Sequence, residues 1–202
     1  MKRFLYHGVF SLLAVTMLLA YASENKEEKK PEFIGSKKCK LCHSKPKIGG
    51  AEYLKWEKGP HAKAYESLKT EEAKEMAQQA GVADPVTDDK CLVCHITAPV
   101  FDTEEKRAEG VGCERCHGPG SLYKSKKVME DYEAAVAAGM RRLKGENEEE
   151  TLKNIEKLCR ECHGLEHKER NPAAKEFKFD EFSAKIKHDE ETLKAEFPEA
   201  FE

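Results

Sequence analysis

Eight cysteines fall into four pairs, and a histidine follows each pair directly. The runs are Cys39-Lys40-Leu41-Cys42-His43, Cys91-Leu92-Val93-Cys94-His95, Cys113-Glu114-Arg115-Cys116-His117 and Cys159-Arg160-Glu161-Cys162-His163. No cysteine is left over. Two thiols at this spacing can add to the two vinyl groups of one haem, and the next imidazole reaches the iron from the same side. One turn of chain does all three jobs. Two rivals share the paired cysteines. Zinc binds such pairs but does not require the trailing histidine every time. Four disulfides would suit an exported chain, but a bond across two intervening residues is usually reactive rather than structural. Histidine makes up 8 of the 202 residues. Four chance occurrences in these positions have odds on the order of one in a few hundred thousand. The expected cofactor is therefore four haem c groups, with His43, His95, His117 and His163 as proximal iron ligands.

A sixth ligand must come from elsewhere. Beyond residue 22 the chain has three other histidines: His61, His167 and His188. Four irons cannot all be bis-histidine within one chain. His61, after Gly59-Pro60, and His188, after an expected helix, are the distal candidates. His167 lies only four residues after His163, so it cannot easily cross to the far face of the same haem. It remains a candidate for a neighbouring one. Met129 is a conceivable thioether ligand, although a methionine at helical spacing is more often core. Lys127 could ligate only if kept neutral. Ligand identity sets the potential and decides whether small molecules reach the iron.

Several further runs accompany the motifs: Lys37-Lys38-Cys39, then Trp56 five residues before His61-Ala62-Lys63-Ala64, then Gly110-Val111-Gly112-Cys113-Glu114 through Gly118-Pro119-Gly120, then Phe177-Lys178-Phe179-Asp180-Glu181 before His188. Taken together, residues 34–190 resemble the cytochrome c-554 family, tetrahaem electron acceptors of hydroxylamine oxidoreductase in ammonia-oxidising bacteria. The resemblance implies a mostly helical fold with haems in closely stacked pairs. It implies that His61 caps the haem of His117, that His188 caps the haem of His163, and that the haem of His95 is five-coordinate. It also implies a histidine ten residues after His117, where this chain has Lys127.

The elements that must position these residues read as helices. The expected helices are Ala51 to Lys58, His61 to Ala80 with Gly81 as its stop, Ser121 to about Ala138, Thr151 to Cys162, and Asp180 to Lys187. The glycines around the third motif suit either a close approach to a flat macrocycle or an ordinary turn. No alternating strand pattern stands out. The fold class is mostly α, with helices and loops wrapped around a compact stack of four haems. Hydrophobic residues are 39 % of the chain and charged residues 36 %, a thin supply for a core. Burying about 400 Å² of porphyrin contributes on the order of 10 kcal/mol, so haem can supply what the side chains lack.

Residues 1–22 read as a signal peptide, with Lys2 and Arg3 before an apolar stretch, and cleavage after Ala22. An uncleaved anchor is the alternative, but the stretch is shorter than the roughly 20 apolar residues of a span. Residues 23–33 read as a flexible charged leader, 34–190 as the haem domain and 191–202 as a C-terminal tail. The expected location is the periplasm, with no membrane insertion after cleavage. Cleavage takes away two of the 35 basic residues and none of the 38 acidic ones, leaving −5. That mild, intermixed balance argues against a nucleic-acid partner. The expected partners are redox proteins, a donor oxidoreductase and an acceptor cytochrome. The expected function is electron transfer, connected with nitrogen-compound metabolism. The alternative is a redox enzyme acting on nitric oxide or a related compound at an open haem, with His95 as the candidate site. No catalytic acid or base is singled out.

Overall fold

Each haem motif ends a helix, and this follows from helical geometry. At 3.6 residues per turn, positions i, i+3 and i+4 share one face, so both cysteines and the histidine project together. In the computed structural model the four motifs close the helices Ser36–His43, Asp89–His95, Cys113–His117 and Glu148–His163. The structure describes residues 29–164 and 176–202. The expected signal peptide, its cleavage point, the start of the leader and His167 lie outside the described residues. The described residues from Pro31 onward form one compact unit.

Among the described residues the chain is helical throughout, with no strand and one isolated bridge between Lys45 and Gly50. No described helix is long and apolar enough to cross a membrane. The expected 61–80 helix is divided. A 3-10 turn at His61–Lys63 leads into Ala64–Ser67, and a new helix starts at Glu71–Gln79. Hydroxyl groups cause the break. Ser67 and Thr70 donate back to carbonyls of the preceding turn, and Thr70 then caps the next helix by accepting from Ala73 N. The stretch after Ser121 divides for a similar reason. Asp131 caps Tyr132–Ala137 and separates it from Lys126–Met129. Ser121 caps neither helix: its Oγ accepts from Glu32 N at 2.8 Å, and its own N–H donates to Glu32 O.

Near the expected leader, Phe33 meets Phe101 edge-on at 6.3 Å and joins the larger apolar cluster. That cluster comprises Tyr65, Leu68, Leu92, Ile96 and Phe101, and it seats the second motif helix on Ala64–Ser67. Within the expected tail, Asp189 caps a helix at Glu190–Glu196, and Leu193 and Phe197 bury against Ala51. Lys55 pairs with Glu196, and Lys58 lies 4.4 Å above the Phe197 ring. The apolar pair four residues apart is what makes this terminus part of the core.

The longest helix, Glu148–His163, carries the fourth motif and starts at Asn147, whose side chain accepts from Glu150 N at 2.9 Å. Replacing Asn147 with alanine should lower stability by about 1 kcal/mol, the usual worth of such a cap. Urea denaturation of the haem-loaded protein would check this; an unchanged midpoint would refute it.

Candidate haem-binding site

The loop before the third motif is held by neighbours on every side. Trp56 Nε1 donates to Val111 O at 2.9 Å, and Val111 N donates to His61 O at 2.9 Å. Thr97, almost fully buried, donates its hydroxyl to Gly110 O and accepts from Gly112 N. Ser36 Oγ accepts from Cys113 N at 3.2 Å. This explains two of the glycines. Gly110 has φ +64°, and a Cβ there would overlap the His61 carbonyl; at Gly112 it would overlap Ser36 Oγ. The close approach is between protein segments, and it ties His61 to the third motif.

Glu114, inside that motif, is 2 % exposed. Its carboxylate accepts from Ile34 N, Gly35 N at 2.8 Å and Gly120 N at 2.6 Å. No cation pairs with it among the described residues; three backbone amides satisfy it instead. Sequence reasoning treated Glu114 as a spacer between two cysteines. Its one available signal was position, since a spacer on a buried helix turn must be satisfied locally.

Two of the imidazoles are fixed by the backbone. His95 Nδ1 donates to Ala64 O at 2.7 Å, and His188 Nδ1 donates to Ile186 O at 2.9 Å. A carbonyl only accepts, so these bonds select the tautomer that has its lone pair on Nε2, the one that suits a metal. His43 Nδ1 instead faces the Glu52 carboxylate at 3.1 Å, which raises its pKa. Burial lowers the pKa of His61 and pushes His117 down to about 4, so both are neutral at neutral pH, as a ligand must be.

The structure brings together histidine pairs other than those the resemblance implied. His61 stands beside His163, ring centres 6.1 Å apart, and His117 beside His188, 6.0 Å apart. Bonds of about 2.0–2.1 Å from one metal to two opposed imidazoles, plus about 1.1 Å from each nitrogen to its ring centre, require about 6.3 Å. Both separations fit an iron between the rings. Phe177 stacks on His163 at 4.9 Å and 12°, which gives the aromatic run before His188 a packing role. Lys127 is exposed and Met129 half-buried on their short helix.

The motif helices pack in pairs, first on third and second on fourth. This places Cys39 near Cys113 and Cys94 near Cys162, close enough to affect one another's ionisation. Contact with Cys94, and then Arg115 at 3.4 Å, lowers the Cys162 thiol to about 6. Contact with Cys39 lowers Cys113 to about 7, while burial raises Cys116 to about 11. None of the eight is in a disulfide. Zinc would need about four donors converging. Among the described residues, no three His, Cys, Asp or Glu side chains are arranged to hold a metal ion. A cavity of about 1250 Å³ adjoins the second motif, lined by Cys91, Cys94, His95, Met76, Ala77 and Cys162 among others. Ligand sites usually measure about 300–1,000 Å³, so this one is large enough for a macrocycle.

The family described as cytochrome c554 and c-prime matches residues 38–118. Cytochrome c-554 of Nitrosomonas europaea (strain ATCC 19718 / CIP 103999 / KCTC 2705 / NBRC 14298) is 38 % identical over 101 residues, which cover 46 % of this chain. Over this stretch the chain is similar to the cytochrome c-554 family. The chain spans 40 % of the length of that curated relative, and no solved structure matches it.

Similarity to cytochrome c-554 implies covalently bound haem c as the cofactor. The residues present fit it: paired thiols and an imidazole on one helix face, His61 and His117 held neutral by burial, His95 and His188 anchored through Nδ1, and a cavity beside one motif. The family span includes three of the four motifs and His61; the fourth motif and His188 lie beyond it. When bound, haem c supplies one-electron redox chemistry. The protein orients the ligand rings and, through the groups around them, sets how strongly each donates.

Proposed function

We propose that the chain is a periplasmic tetrahaem cytochrome that carries electrons between redox proteins, a donor oxidoreductase and an acceptor cytochrome, in nitrogen-compound metabolism. The observation that carries this reading is the packing of the motif helices in pairs, first against third and second against fourth. Haems anchored on helices packed together are close neighbours, and neighbouring haems pass electrons without catalytic acids or bases. His61 with His163, and His117 with His188, are the proposed axial pairs, each closing one iron to outside ligands. His43 and His95 are the proposed proximal ligands of the other two. Docking of partners is expected to be weak and sensitive to salt, since the surface charges are mixed.

The cavity beside His95 favours a second reading, a reductase acting on a small nitrogen compound at an open haem. One set of measurements separates the two. Mass spectrometry should show four haems, and electron paramagnetic resonance of the oxidised protein should show low-spin iron from the two histidine pairs. Replacing His61 or His188 with alanine should convert one low-spin signal each to high-spin. Unchanged spectra in both variants would overturn the pairing. Sustained turnover of nitric oxide would favour the reductase over the carrier.

A further inference from the structure

Glu52 opens the helix Glu52–Lys58, and its side chain turns back toward the first motif. There its Oε2 lies 3.1 Å from His43 Nδ1, with both side chains about two-thirds shielded from solvent, at 28 % and 32 % exposure. The loop before it is shaped for this contact. Gly50 has φ +112°, and a Cβ there would overlap the Glu52 carboxylate. The bridge between Lys45 and Gly50 holds the turn, and a Cβ at Gly49 would press on Cys42 at 3.2 Å. The backbone from the first motif to Glu52 thus leaves a space that the carboxylate fills.

We infer that Glu52 is a positioning residue that lowers the reduction potential of the haem held by Cys39, Cys42 and His43. This rests on the proposed reading of His43 as a proximal ligand. A carboxylate accepting from Nδ1–H draws the proton toward itself and makes the imidazole a stronger donor at Nε2. A stronger donor stabilises the ferric state over the ferrous one. His95 faces a neutral carbonyl instead, and so does His188. The first haem is then biased toward the oxidised state relative to the haems of those histidines. Electrons arriving there are passed on rather than stored.

The test is Glu52→Gln in the haem-loaded full chain, with Glu52→Asp beside it, read by spectroelectrochemical titration. The glutamine keeps an oxygen for Nδ1–H but removes the charge. The potential of one haem should rise by about 59 mV, a roughly tenfold fall in its oxidised-to-reduced ratio at a fixed applied potential for a one-electron couple. The other haems should stay in place, and Glu52→Asp should recover much of the shift. The wild-type mass is read first. Unmodified Cys39 and Cys42 would overturn both the reading and this inference. Four haems in Glu52→Gln with unmoved potentials would overturn the inference alone. So would loss of the first haem from the glutamine variant, if Glu52→Asp keeps that haem and leaves its potential far from the wild-type value.

Discussion

Replacing Glu114 with alanine should destabilise the haem-loaded protein by about 3–6 kcal/mol, a large share of the roughly 5–15 kcal/mol that holds a typical domain together. The carboxylate is the acceptor for the amides of Ile34, Gly35 and Gly120. Its removal leaves three shielded N–H groups without a partner, at about 1–3 kcal/mol each before relaxation. Glutamine should not rescue the loss. Both oxygens are engaged, so one end of the amide would turn an N–H2 group toward another N–H donor. The contact also joins the segment entering the first motif to the turn leaving the third. Damage should therefore appear as a lower urea midpoint and as faster proteolysis near residues 31–35. A midpoint within about 1 kcal/mol of wild type would show that water replaces the carboxylate at little cost.

The second large effect is expected from withholding haem. The described apolar clusters are small: five buried residues around Tyr65 and three around Leu193. Beside the second motif the interior contains a cavity rather than side chains. Each haem contributes on the order of 10 kcal/mol of burial by area, more than either cluster can replace. Chains produced without haem, or with all eight cysteines changed to serine, should lack a cooperative unfolding transition and lose most helical circular dichroism. The coupling is the one that leaves small metal-dependent domains unfolded without their metal. A haem-free preparation that keeps native-like ellipticity and a sharp transition would refute it.

The helices were legible where a local signal was strong. Ala51 to Lys58 and the helix before His188 stand close to where periodicity and breakers put them. The long helices expected after His61 and Ser121 were not legible as broken. Their hydrophobic spacing continues across the break, while the deciding hydrogen bonds run from Ser67, Thr70 and Asp131 to local backbone. The packing of Phe33, Leu193 and Phe197 was hidden for another reason. Short charged termini read as solvated unless the surface they cover is known.

What the sequence determined by itself is the chemistry: thiol, thiol and imidazole within five residues, four times over, because attachment of a haem is a local event on one helical turn. The tertiary structure decided everything that acts across the chain. It set which motif helices pack together, which histidines lie side by side, that Glu114 is buried on backbone amides, and that Glu52 reaches His43. These depend on how separated turns come together in three dimensions, and spacing along a chain carries no record of that. The histidines show the difference most clearly: the four rings were named from sequence, while the adjacency of His61 to His163 and of His117 to His188 depends on the fold.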